Sequence, residues 1–351
     1  MTGATGMRDD LTAVVIAARN AAGTIATAVA SALDQPETSE LVVVDDGSVD
    51  ATADAARMGA ERVGRADALV VLRANGDGPA AARNRGIDAS RAPFVAVLDA
   101  DDAFLPGRLA VLHEVRRSVA RCDVVADDIA FVTALPAPDQ GEADAGAGPA
   151  EVPRGRELTL DAFIEGNRTV RGRVRGELGF LKPLFSRAFL QTHGLRYRED
   201  MRLGEDFDLL ARVLARGAAM QLVQRVGYAA LVRDDSLSAQ HETGDLERLW
   251  RACVALGADG ALSRSAMRAL RHHAGEVELR WRHRRFLDAR KVRGTVRAGL
   301  EMPVRLLPAV GSAVLRDKLA PRDVASRQVA GRTLLSGWDD AGHPGGHPGR
   351  A

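Results

Sequence analysis

Four short runs near the start of the chain are dominated by apolar residues and lack helical periodicity: Leu11–Ala17, Glu40–Val44, Ala68–Leu72 and Phe94–Leu98. Rich in Val, Ile and Leu, they read as strands buried on both faces. Between them lie the Ala-rich stretches Thr24–Leu33, Ala51–Met58 and Pro79–Ala89, which suit helices. Ser48 and Asp50 stand ahead of the second as capping residues, and Pro79 opens the third. Strands alternating with helices predict right-handed crossovers and a Rossmann-like, mainly parallel α/β sheet flanked by helices. In such sheets ligands sit beyond the carboxyl ends of the strands, so the residues just after each run carry the functional weight.

The pattern then changes. Thr133–Gly155 is rich in Pro, Gly, Ala and acids without periodicity, and is predicted to be a flexible loop. Order resumes from about Leu158 to Val232, and beyond Asp245 the chain reads as helical and Arg-rich. The expected organisation is one α/β domain over 1–245, a basic helical extension over 246–338 and a disordered tail over 339–351.

With 351 residues the chain is long enough for a large core, and 48 Lys+Arg against 47 Asp+Glu argue against a nucleic-acid binder. Cys122 and Cys253 are too few for a disulfide framework, which favours a reducing compartment. The first ten residues lack the layout of a signal peptide, and the uncharged run Leu306–Leu315 falls well short of the roughly 20 residues of a spanning helix. A cytoplasmic protein is expected.

Three acidic clusters follow apolar runs or precede one. Asp45-Asp46-Gly47-Ser48 ends the second strand; its carboxylates suit a nucleobase imide or ribose hydroxyls, and the alternative is a turn with a helix cap. Asp99-Ala100-Asp101-Asp102 closes the most apolar strand, and three carboxylates in four residues repel one another unless a cation relieves them. Mg2+ or Mn2+ is commonly held by one or two carboxylates together with substrate phosphates; the alternative is a solvated acidic turn. Gly204-Glu205-Asp206 precedes the helical run Phe207–Leu214, where a carboxylate could take a proton from an attacking hydroxyl or simply favour the helix dipole. Between the first two clusters, Asn75–Pro79 and Arg83-Asn84-Arg85-Gly86 could approach a phosphate-bearing ligand. Neither a P-loop nor the dinucleotide-binding glycine fingerprint is present.

In order, VVIAARNAAGTIATAVASAL, ELVVVDDGSVDAT, NGDGPAAARNRGIDASRAPFVAVLDADDAFLPGRL and GLRYREDMRLGEDFDLLARV closely resemble family 2 glycosyltransferases of the GT-A fold, most of all bacterial exopolysaccharide enzymes of the succinoglycan type. The likeness covers about Leu11–Asp245. It implies an inverting transfer from a nucleoside-diphosphate sugar, a UDP-sugar, to a saccharide or lipid-linked acceptor, with a divalent metal. Asp46 would meet the uracil with Asp45 shaping that pocket, Arg83 would lie near the nucleotide, and Asp99 would meet the ribose. Asp101 of the DXD triplet would ligate the metal, and Asp206 would be the general base with Glu205 beside it. Ser236–His241 resembles the segment after the catalytic helix, which makes His241 a candidate metal or diphosphate ligand, against the plainer reading of a solvated histidine. Many relatives have a Tyr where this chain has Arg19, so base stacking falls to Arg19 or to another side chain.

Residues 280–297 carry eight Arg or Lys and one acid, interleaved with Trp281, Phe286, Leu287 and Val292. That mixture suits a helix lying on the anionic inner face of a membrane, or equally a solvated helix packed on the catalytic domain. Two other functional classes remain: a sugar nucleotidyltransferase, which would want a glycine-rich loop after the first strand, and a non-catalytic scaffold of the same fold.

Overall fold

The computed structural model describes residues 10–136, 153–168, 177–232, 242–259, 262–293 and 331–336, with residues 303, 307, 310 and 311 besides. Four parallel strands stand where the apolar runs predicted them: β1 (Thr12–Ala18), β2 (Thr38–Asp46), β3 (Leu69–Ala74) and β4 (Phe94–Asp99). The crossover helices are α1 (Ile25–Leu33), α2 (Thr52–Arg62) and α3 (Pro79–Ala89). Alternate residues of each strand point to opposite faces. Val14, Ile16, Leu41 and Val43 join Ile25, Val29 and Ala56 from α1 and α2 in the main core. Val42 and Val44 face the other way, against Ala82 of α3. Burial on both sides is why β1, β2 and β4 read as unbroken apolar runs; β3, expected to be buried as well, lies at the sheet edge with Val70 47% exposed.

The rest of the sheet was not assigned strand by strand from the sequence. It adds β5 (Ala103–Phe104), β6 (Val124–Val132), β7 (Arg156–Glu157), β8 (Leu184–Ser186) and β9 (Met220–Leu231), giving the order β3-β2-β1-β4-β8-β6-β9-β5 with β7 beside β9. Strand β8 runs antiparallel between β4 and β6, and β6 pairs parallel with β9. Helices α4 (Arg108–Ser118), α5 (Leu160–Gly166), α6 (Arg187–Thr192) and α7 (Glu205–Ala215) connect and cover this half.

Helix α8 (Thr243–Ala258) opens with a reciprocal capping box between Glu242 and Asp245, and α9 (Arg264–Arg293) packs along α8 and α5. Trp281 is 3% exposed and stacks on Trp250 at a centroid distance of 5.0 Å, with the Arg282 guanidinium over its ring at 4.0 Å. Among the described residues no helix is long and apolar enough to cross a membrane. Of the predicted loop 133–155, residues 137–152 lie outside the described residues, as does the tail from 337.

Candidate active site

Parallel pairing brings the carboxyl ends of β1 to β4 to one edge, with Ala18 opposite Asp45, Asp46 opposite Ala74 and Ala17 opposite Asp99. At that edge Asp45 and Asp46 are both buried. Asp45 Oδ1 accepts the Ser48 N–H at 3.0 Å, closing the turn. Asp46 accepts three backbone amides of the following loop: Gly76 and Asp77 on Oδ1, both at 3.0 Å, and Gly78 on Oδ2 at 2.8 Å. Its carboxylate therefore shapes the 76–78 loop. Gly47 is required between the two: its φ is +74°, and a Cβ there would stand 3.3 Å from the Gly76 nitrogen.

Ser48 does not cap α2. Its Oγ accepts the Asn20 N–H at 2.9 Å and thereby joins the first loop to the second, while Asp50 Oδ1 accepts the Thr52 N–H at 3.1 Å in the first turn of α2. Asn20, itself at φ 51°, accepts the Val49 N–H on its Oδ1 at 3.0 Å. The side chain of Arg19 runs beside Gly76, with Nη1 3.5 Å from where a Cβ would stand.

The second and third acidic clusters, more than a hundred residues apart, meet around two buried cations. Arg83 on α3 donates to Asp99 Oδ1 at 2.7 Å and to Glu205 Oε1 at 2.9 Å, and lies 3.5 Å from Asp206 Oδ1. Lys182 bridges Asp99 Oδ2 at 2.8 Å and Asp206 Oδ2 at 2.7 Å. Both cationic side chains are 7% exposed. Burial on its own pushes the Asp99 carboxyl up, but Lys182 and Arg83 outweigh it and hold the group well below the usual carboxylate range. Burial likewise opposes the charge on Lys182, and Asp206 and Asp99 keep its ammonium well above the ordinary lysine value. Helix α7 thus begins with Glu205 and Asp206 paired to cations from other elements, beyond what its dipole supplies. The third acid of that turn, Asp208, is buried against Arg212 at 2.7 Å and belongs to the helix.

Asp101 is half-buried beside this group. Its neighbour Asp102 accepts the Tyr228 hydroxyl at 2.7 Å and the Leu231 N–H at 2.9 Å, and Tyr228 Oη accepts the Asp99 N–H at 3.2 Å. Burial, then repulsion from Asp99 and Asp101, pushes the Asp102 carboxyl up to about 8 despite those two bonds. At neutral pH burial and the neighbouring carboxylates therefore keep Asp102 protonated, as a neutral partner of Tyr228. Among the described residues no three His, Cys, Asp or Glu side chains are grouped as a complete metal site. Asp101, half-buried at this edge, is the carboxylate that could hold a divalent cation together with substrate phosphate oxygens. His241 lies outside the described residues.

Three residues of the site region had no forecast, Lys182, Tyr197 and Arg108, and Asn84 was expected only as part of a segment near a phosphate. Asn84, next to Arg83, holds the segment before α7 by accepting the Tyr197 N–H at 3.0 Å and donating to the Tyr197 carbonyl at 2.9 Å. The Tyr197 ring lies under Arg83 at 5.3 Å. Lys182 sits alone in the apolar stretch Phe180–Phe185, and a charge so placed is the signal that was there to be read.

The family model for glycosyl transferase family 2 matches residues 13–125. Succinoglycan biosynthesis protein ExoU of Rhizobium meliloti (strain 1021) is 47% identical over 309 residues, covering 87% of this chain and 87% of that protein. The chain belongs to glycosyl transferase family 2. Succinoglycan biosynthesis protein ExoO of the same organism is 36% identical to this glycosyltransferase over 320 residues, covering 91% of this chain and 84% of ExoO. Two solved structures share its fold at low identity. S. aureus TarS 1–349 in complex with UDP-GlcNAc has a TM-score of 0.56 and 18% identity, covering 86% of this chain and 79% of that one. The mannosyltransferase PcManGT from Pyrobaculum calidifontis, in complex with GDP-Man and Mn2+, has a TM-score of 0.51 and 18% identity, covering 88% and 86%. This family 2 enzyme has the GT-A fold that the sequence resemblance implied.

Proposed function

We propose that this glycosyltransferase is an inverting, divalent-metal-dependent enzyme that moves a sugar from a UDP-sugar to a saccharide or lipid-linked acceptor in exopolysaccharide assembly. One observation carries the reading: Asp99 at the end of β4 and Asp206 at the start of α7 meet on the single ammonium of Lys182, at 2.8 and 2.7 Å. A donor-side and an acceptor-side carboxylate so joined suit a one-step displacement. The succinoglycan role of ExoU and ExoO supports the polymer class, and the nucleoside-diphosphate sugars bound by TarS and PcManGT support a donor of that class.

In this reading Asp45 and Asp46, with the loop they shape, form the base pocket, and Asp99 receives the ribose. Arg83 holds Asp99 and Glu205 in place beside the nucleotide. Asp101, with His241, would hold Mn2+ or Mg2+, which would offset charge growing on the departing diphosphate. Asp206 takes the proton of the acceptor hydroxyl as its oxygen bonds the anomeric carbon. The bond from that carbon to the diphosphate breaks on the opposite face, and its electron pair leaves with the diphosphate. One base and one displacement give inversion. The loop after β1, Arg19-Asn20-Ala21-Ala22, has no glycine run for a triphosphate, which counts against a nucleotidyltransferase.

The test is release of nucleoside diphosphate from a panel of nucleotide sugars with Mn2+ and a saccharide acceptor. A UDP-sugar should be turned over, and Asp206→Asn should lose turnover by about 100-fold or more with nearly unchanged UDP affinity. A fully active Asp206→Asn enzyme removes that residue from the base role.

A further inference from the structure

We infer that Lys182 is a positioning residue for Asp206, clamping one oxygen of that carboxylate so that the other is presented to the acceptor hydroxyl. The inference rests on the proposed base role of Asp206. The two carboxylate oxygens have unequal surroundings. Oδ2 is bound by Lys182 Nζ at 2.7 Å, whereas Oδ1 has Arg83 Nη1 only at 3.5 Å, and that nitrogen is closer to Glu205 at 2.9 Å. A base needs one oxygen fixed and the other available. A carboxylate free to rotate about its terminal torsion would present neither reliably.

Lys182 is itself held rigidly. Arg108 Nη2 donates to the Lys182 carbonyl at 2.5 Å, and Asp127 grips Arg108 through Nε at 2.9 Å and Nη2 at 2.7 Å. The Arg108 guanidinium lies over the rings of Phe104 at 4.4 Å and Tyr228 at 5.3 Å. Gly227 lets β9 close on this pair, since a Cβ there would stand 1.9 Å from Asp127 Oδ2. A buried Arg–Asp pair packed between aromatics thus fixes the backbone from which Lys182 projects. A lysine suits the position because its ammonium is a compact charge with donors for Asp99 and Asp206 at once, while a planar guanidinium favours a two-point grip on one carboxylate.

The experiment compares Lys182→Met and Lys182→Arg with the wild-type chain in steady-state transfer, UDP titration with Mn2+ and thermal melting, assayed below the melting point of each variant. Lys182→Met should lower kcat about 100-fold, within the range typical of general-base catalysis. UDP affinity should stay within about threefold, because Arg83 still holds Asp99 at 2.7 Å. Lys182→Arg should recover at least about tenfold of the lost kcat, since it restores a cation to Asp206. UDP affinity falling in step with turnover, or Met and Arg variants equally inactive while folded, would overturn the proposal. Asp206→Asn is assayed alongside. If it is inactive while Lys182→Met is fully active, only the clamp fails; if it is fully active, the base assignment has failed first.

Discussion

Arg83→Met removes the cation that joins α3 to both β4 and α7. The guanidinium is buried and makes bonds of 2.7 Å to Asp99 and 2.9 Å to Glu205, with Asp206 at 3.5 Å. Without it, Asp99 and Asp206 share Lys182, and Glu205 loses its cation. Removing one partner of a buried ion pair costs about 3–5 kcal/mol, because the remaining charge stays desolvated and unpaired. At roughly 1–2 °C per kcal/mol for a chain of 351 residues, the melting temperature should fall by roughly 3–10 °C. Circular dichroism melts at neutral pH without divalent cation provide the assay. The pH dependence supplies a second check. Arg83 and Lys182 hold Asp99 below its ordinary value of 3.8, so its contribution is present above that pH and lost as pH falls towards the folded-state value. The deficit of the variant should therefore narrow in acid. A melting temperature within about 2 °C of wild type at neutral pH would refute the reasoning.

Asp102→Asn should change how stability depends on pH. Burial together with Asp99 and Asp101 raises the carboxyl from 3.8 to about 8, so between those values the folded chain binds a proton that the unfolded chain has lost. Stability from this group is full below about 4 and lost as pH rises through about 8, and the variant should flatten that part of a melting-temperature profile measured without metal. The basic face of α9 should bind anionic vesicles by charge: Arg280, Arg284, Arg285 and Lys291 are exposed, whereas Trp281 is packed against Trp250. Sedimentation with phosphatidylserine-rich vesicles should be lost near 1 M salt, on the order at which charge attraction is screened within about 3 Å; salt-resistant binding would point to inserted apolar side chains instead.

The parallel half of the sheet was legible because β1, β2 and β4 are buried on both faces and their apolar runs are unbroken, while β3 kept an apolar run at the sheet edge. The other half hides its strands. Within β6, Asp127 and Asp128 interrupt the apolar pattern, yet both are buried: one on Arg108, the other accepting the Ile129 and Leu335 amides at 2.8 Å. Strand β8 is only three residues long, and β9 mixes Gln and Arg into its middle. In the site, the acidic clusters were legible as an ordered set, two closing apolar strands and one opening an apolar helix. Their cation partners were not. Arg83 was expected beside the nucleotide, but its pairing with carboxylates of β4 and α7 was not foreseen, and Lys182 was missed because a lone lysine in an apolar run is invisible to periodicity. The expected cap at Ser48 went to Asn20, a contact across loops that no local pattern encodes.

Calorimetric titration of UDP with and without Mn2+, on the wild-type chain and on Asp101→Ala, is the most direct test of the central claim that the clustered carboxylates serve one metal-bound nucleotide. The account predicts that Mn2+ tightens UDP binding to the wild-type chain by at least about tenfold, roughly 1.4 kcal/mol, and that the alanine variant loses this gain. Equal UDP affinity with and without the metal, or an alanine variant that keeps the full gain, would contradict it.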